Sequence, residues 1–198
     1  QRRHHGSPEP ARCEVNAPEP FAGVISHTPV RHHILSVLVE NKAGVLARIA
    51  GLFARRGFNI YSLAVAPAEG HARFSRVTIV VDAESAPLEQ IVGQLDKLVN
   101  VVSITDLAPK DALERELLLA TVDVDDASRV ALLDAVATAG AAIVDVDASR
   151  VTAMLAGTPG ACDQFERVLE AFADVELHRT GRVALPRLGR TVSETAES

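Results

Sequence analysis

Tryptophan is absent from the 198 residues, tyrosine and methionine occur once each, and cysteine occurs twice. With aromatics at 4%, the cores must be built from Val, Leu, Ile and Ala, and the 47% hydrophobic content supplies them. Cys13 and Cys162 stand far apart and make no CxxC or finger spacing. They read as a tail thiol and a small helix residue, not as a disulfide framework. Positive charge is in deficit: 20 Lys and Arg against 26 Asp and Glu give a net charge of −6. A nucleic-acid binder normally carries a basic face, so that class is disfavoured. No apolar run approaches the roughly 20 residues that span a bilayer, and the N-terminus has no signal-peptide core. The expectation is a soluble, cytoplasmic protein. No GxSxG elbow, HExxH, P-loop or GxGxxG is present, so no catalytic residue is assigned. His32 and His33 are neighbours on one expected strand and point to opposite faces, which suits a solvated edge better than a metal site. His4, His5, His71 and His178 form no cluster, and no metal is expected.

Residues 1–30 hold five of the ten prolines and no apolar period, and read as a disordered extension. Beyond them the pattern alternates. Strands are expected over 33–39, 59–66, 73–81 and 101–107, with helices over 45–56 and from Pro87. Val45, Leu46, Ile49, Leu52 and Phe53 fall on one face of the first helix, and Gly57 stops it. The order is βαββαβ. After a polar link at 109–114 the order returns: strands over 116–124, 142–147, 151–156 and 175–179, helices over 127–139 and 161–172. An offset of 83 brings Gly57 onto Gly140 and Ile60 onto Ile143, so the chain reads as two copies of one unit. The fold class is therefore α+β, with two tandem ferredoxin-like βαββαβ domains at 31–108 and 115–187 and a flexible tail at 188–198. Domains this small bury a modest share of their surface, which favours oligomers.

The segment Glu40-Asn41-Lys42-Ala43-Gly44-Val45-Leu46 is a strand end, a turn and a helix start. A helix start offers unpaired N–H groups and the positive end of the dipole, which suit a small carboxylate. Gly44 lets a ligand approach the main chain, and Asn41 can offer a carbonyl to an ammonium or cap the helix. Spacing alone favours an ordinary strand-to-helix turn. Asn59 opens the second strand, and by itself favours capping the preceding helix. A helix of 12 residues is roughly 18 Å long. Asn41 and Asn59 lie off opposite ends of it, so they can share one small ligand only if they come from two protomers. At the offset of 83 the second copy replaces Asn41, Gly44 and Asn59 by Val124, Ala127 and Ala142, and puts Asp125 and Asp126 in the turn. Only the first copy should take an anion. Arg48, Arg55, Arg56, Arg73 and Arg76 read as a solvated basic patch or a docking surface.

The run ENKAGVLARIAGLFARRGFNIYSLAVAP (40–67), with SRVTIVV (75–81) and QLDKLVNVVSITDL (94–107), resembles the regulatory small subunits of acetolactate synthase, also called acetohydroxyacid synthase. ERELLLATV (114–122), LAGTPGACDQF (155–165) and RTGRVALPR (179–187) resemble the second domain of that family. The resemblance implies that the first domain is an ACT domain, an amino-acid sensor that pairs with a second copy of itself. It implies that valine or another branched-chain amino acid binds at Asn41, Gly44, Val45, Leu46, Asn59 and Ile60. It further implies a separate catalytic large subunit that joins two pyruvates to 2-acetolactate and CO2. Thiamine diphosphate, FAD and magnesium are expected on that partner and not on this chain. Tyr61 stands where the family usually has Glu. A stand-alone ACT sensor or transcriptional regulator is the alternative.

Overall fold

The structure is a computed structural model that describes residues 32–68, 73–82, 87–172, 174–189 and 193–196. The extension read over 1–30 lies outside the described residues, as does Cys13.

The first domain runs β1 (His32–Glu40), α1 (Val45–Arg56), β2 (Ile60–Pro67), β3 (Phe74–Asp82), α2 (Leu88–Leu95) and β4 (Val101–Leu107). All neighbouring strands are antiparallel, in the order β4-β1-β3-β2, as the split βαββαβ unit requires. Helix α1 forms because Val45, Ile49, Leu52 and Phe53 repeat at i, i+4, i+7 and i+8, and these four are buried. Each such burial contributes about 1.5–3 kcal/mol. Leu46, expected on that face, is exposed, in the open first turn of the helix. Gly57 ends α1 in the left-handed region (φ 70°), with Phe58 N–H on the Phe53 carbonyl at 3.0 Å.

The middle of β1, from Ile34 to Val39, is apolar except for Ser36 because both faces of the strand are covered there. Leu35, Val37 and Val39 face the helices, while Ile34 faces the opposite side with Val80 and Leu107. The histidines at its start are therefore not on an edge: β1 is central, and His32 and His33 are both half-buried.

The second domain repeats the order with β5 (Ala112–Asp123), α3 (Asp126–Ala139), β6 (Ala142–Val146), β7 (Arg150–Gly157), α4 (Pro159–Leu169) and β8 (Val175–Arg179). Its sheet reads β8-β5-β7-β6, the same sequence of positions as in the first. One detail marks the two as copies. The β2–β3 register slips between Ile60 and Ser62, and the β6–β7 register slips between Ile143 and Asp145. The inserted residues, Tyr61 and Val144, stand 83 positions apart. A bulge re-aims side chains, and here it lets Ile60 and Leu63, three residues apart, both pack on the helix side. The offset of 83 also joins the C-caps Gly57 and Gly140, but the N-caps Gly44 and Asp125 are 81 apart. Helix α3 has 14 residues against 12 in α1.

Three features lie outside the expected pattern. Strand β5 begins at Ala112, inside the link read at 109–114, and its first four residues pair with β9 (Val183–Pro186). That ribbon lays Ala112 and Ala184 on Ile34, Val80 and Leu107, an apolar seam joining the two halves. The polar tail after Leu188 is not loose throughout: β10 (Ser193–Ala196) pairs with β4 and extends the first sheet. Backbone pairing of this kind needs no side-chain signal. Among the described residues no helix is long and apolar enough to cross a membrane.

Candidate functional site

The β1–α1 turn is held from the corner that precedes β4 and from the residue that precedes β3. Glu40 N–H donates to the Asn100 carbonyl (2.9 Å) and Asn41 N–H to the Arg73 carbonyl (2.7 Å). Asn100 works with its side chain as well: Nδ2 donates to Glu40 Oε2, while Oδ1 accepts from Arg48 Nη1 at 2.7 Å. Lys42 Nζ closes on Glu40 Oε1 at 2.9 Å. The hydrogen bonds from Lys42 and then Asn100 hold the Glu40 carboxyl below its ordinary value. Asn100 braces the candidate site and is absent from the residues expected from the sequence. Its only signal was a lone amide just before an apolar strand.

This scaffold leaves the start of α1 open. Its N-cap is Gly44 at φ 83°, a conformation L side chains rarely adopt, and no side chain caps the helix. A Cβ built on Gly44 meets nothing within 4 Å. Asn41, Gly44 and Leu46 are exposed, and Val45 is buried beneath them. The structure thus brings Asn41, Gly44, Val45 and Leu46 together.

Asn59 and Ile60 lie elsewhere. The register runs Glu40↔Phe74 at one end of the sheet, and His33↔Val81 with Ile60↔Val81 at the other. Seven residues of β1 separate those ends, about 24 Å at 3.4 Å each. Within one chain the two groups cannot touch one amino acid. Asn59 is exposed and Ile60 half-buried; the helix end that Asn59 alone could cap is closed by Gly57 through its own N–H.

The second copy contrasts sharply at the helix start. Asp125 Oδ1 accepts from Ser128 N–H at 2.7 Å, and Ser128 Oγ accepts from Asp125 N–H at 3.0 Å. That reciprocal capping box satisfies the donors that α1 leaves open. The Ser128 hydroxyl, then its N–H, hold the Asp125 carboxyl below its ordinary value.

Other groups settle into structural positions. Of the arginines weighed as a patch, Arg48 donates to Asn100, Arg56 to Gln94 and Arg76 to Ser36. Cys162 is buried in α4, and burial pushes its thiol up. A cavity of about 340 Å3 lies between the outer face of β2–β3 and the β5–β9 ribbon, lined by Val65, Thr78, Leu113 and Val183 among others. It includes none of the six expected site residues, and the helix start is the better candidate because no side chain caps it, although Val45 N–H donates to the Lys42 carbonyl at 3.3 Å.

Comparison with known proteins agrees with this architecture. Residues 35–103 match the family described as AHAS small subunit-like ACT domain, and residues 115–188 match the small subunit of acetolactate synthase. The acetolactate synthase small subunit of Mycobacterium bovis is 48% identical over 155 residues, 78% of this chain and 92% of that protein. The one from Mycolicibacterium smegmatis is 45% identical over 155 residues, covering 78% and 91%. Among solved structures, the acetolactate synthase small subunit from Thermotoga maritima superposes with a TM-score of 0.74 at 35% identity, covering 81% of this chain and all of that one.

Proposed function

The chain belongs to the family of acetolactate synthase small subunits, and from that premise we propose that it raises the activity of a catalytic large subunit and makes that activity inhibitable by valine or another branched-chain amino acid. The observation that carries the sensing half of this reading is the open, uncapped start of α1 beside Asn41, set against the self-capped start of α3.

In this reading the effector carboxylate meets the helix start from Gly44 to Leu46, where Val45 N–H otherwise donates to the Lys42 carbonyl at 3.3 Å. Its ammonium is held by asparagine carbonyls, and its alkyl group enters an apolar gap between two protomers near Ile60. The sheet supports such a pairing. Its β4 edge is covered by β10, whereas β2 ends the strand order. Two copies joined antiparallel along β2 would set the start of one β2 level with the end of the other. The end of β2 is also the Gly44 end, because Pro67 pairs with Ser75 and Phe74 with Glu40. Asn59 and Ile60 of one copy then stand beside Gly44 of its partner, and the site occurs twice per dimer. One buried methylene contributes about 0.8 kcal/mol, so discrimination among valine, leucine and isoleucine is modest. Inhibition follows only from a difference in affinity between two arrangements of the complex. Thiamine diphosphate, FAD and magnesium belong, in this proposal, to the catalytic subunit.

The test is to add the purified chain to a bare acetolactate synthase catalytic subunit and follow acetolactate formation with and without valine. Stimulation that valine reverses is the expected result. The Gly44→Asp chain should stimulate equally and ignore valine, because Asp tolerates the left-handed region better than most residues and meets no neighbour there. Absence of stimulation would favour a stand-alone sensor. Undiminished valine inhibition with Gly44→Asp would refute the site.

A further inference from the structure

Between β8 and β9 the chain crosses from the second domain to the first, and the crossing is anchored at both ends. Thr180 N–H donates to the Leu117 carbonyl at 2.9 Å, and Thr180 Oγ1 accepts from Leu117 N–H at 3.0 Å. Arg182 N–H then donates to Ser62 Oγ of β2 at 2.7 Å. Between them Gly181 lies against β2 so closely that a Cβ on it would stand 2.2 Å from the Leu63 carbonyl oxygen. The Arg182 side chain is 8% exposed and donates through Nε to Glu116 Oε1 (2.7 Å) and through Nη1 to Glu114 Oε2 (3.1 Å). Its guanidinium lies 5.1 Å from the centre of the Tyr61 ring, which stacks on His32 at 4.3 Å. Tyr61 is the bulge residue of β2, immediately after Ile60.

Asn59 precedes β2 and Ile60 adjoins its bulge, so strand pairing alone fixes them poorly. A binding site needs its groups held to about 0.5 Å. The missing constraint comes from the second domain, through the two residues that follow Ile60. We propose that Arg182, braced on Glu116, is a positioning residue for the effector site: by gripping Tyr61 and Ser62 it sets where Asn59 and Ile60 meet the partner's helix start. This rests on the proposed effector role of Asn59 and Ile60. It gives the second domain, which has no open helix start of its own, a direct part in effector affinity.

Three variants of the full chain separate positioning from mere stability. Ser62→Ala removes one hydrogen bond to the crossing. Arg182→Lys keeps a cation beside Glu116 but loses the flat fork over Tyr61. Asp163→Asn trims the outer side of the same ion cluster without touching β2. Valine binding is read by titration calorimetry, and folding by thermal unfolding of the same samples. Ser62→Ala and Arg182→Lys should each weaken valine binding about tenfold, while Asp163→Asn leaves it unchanged. Wild-type affinity in both Ser62→Ala and Arg182→Lys, with Gly44→Asp abolishing binding, would overturn the positioning role and leave the effector site standing. A wild-type chain that takes up no valine, leucine or isoleucine would overturn the effector site, and the positioning role with it.

Discussion

Replacing Glu116 by Gln tests how the two domains are held. Glu116 is 5% exposed and accepts from two guanidiniums, those of Arg179 and Arg182. Removing one partner of a buried ion pair costs about 3–5 kcal/mol, because the other charge is left uncompensated. Here the compensation is partial. Arg182 keeps Glu114 at 3.1 Å, and Arg179 keeps Asp163 at 2.7 Å and Glu166 at 3.3 Å. Burial alone would lower the Arg179 guanidinium, but hydrogen bonds to Asp163 and Glu116 outweigh it and raise it. Glutamine keeps the volume and one acceptor, so no cavity term enters. The low end, about 3 kcal/mol, is expected. For a chain of this size about 1 kcal/mol moves the melting temperature by about 2–4 °C, so Glu116→Gln should melt about 6–12 °C below wild type. The assay is calorimetric unfolding at one fixed chain concentration, because the proposed dimer would make the midpoint concentration-dependent. Asp163→Asn is the comparison: that carboxylate is 44% exposed, and pairs of that kind are worth up to about 1 kcal/mol. A Glu116→Gln chain melting within about 2 °C of wild type, or no lower than Asp163→Asn, would refute the reasoning.

Gly181→Ala should prise the crossing off β2, since the Leu63 carbonyl is backbone and cannot swing aside. A cost of about 1–3 kcal/mol is expected, with faster proteolytic cleavage between Arg179 and Val183; cleavage at the wild-type rate would contradict it. His32 adds a pH dependence. Burial, and then the Arg182 guanidinium, hold its pKa below the ordinary 6.5, overcoming the opposing pull of Asp82, Glu114 and the Val81 backbone. Between the lowered value and 6.5 the unfolded chain binds the proton more readily than the folded one. The stability contribution is therefore full above pH 6.5 and is lost as pH falls through the folded value. Urea midpoints measured from pH 7.5 to 5 should fall more for wild type than for His32→Phe, and parallel profiles would remove His32 from the account.

Most of the frame is legible in the sequence because it rests on local rules. The i, i+4, i+7, i+8 spacing of Val45, Ile49, Leu52 and Phe53 makes α1, glycine stops it, and the alternation of strands and helices repeats. What escapes is non-local. Glu116 looks like a solvent-facing strand residue until Arg179 and Arg182 arrive from 63 and 66 positions away. The bulge at Tyr61 leaves no trace in periodicity, so the joint packing of Ile60 and Leu63 could not be read. Strand β10 joins the sheet by backbone pairing with β4, and β9 shows only within the run RTGRVALPR. Of the candidate site, what could be read ahead is the placement: Asn41 and Gly44–Leu46 at the start of α1 and Asn59–Ile60 beyond its end, a helix length away. The network of Asn100 with Glu40 and Arg48 was not, because its members are 52 and 60 positions apart.

The claim that one effector is gripped by two copies can be measured by mixing two defective chains, Gly44→Asp and Asn59→Ala, and titrating valine. Each variant alone should fail to bind. In a mixed dimer one site collects both defects, and the other pairs an intact helix start with an intact Asn59. Random exchange should then restore binding at roughly one site in four. If the mixture binds no better than its components while mass measurements show mixed dimers present, the shared site does not exist.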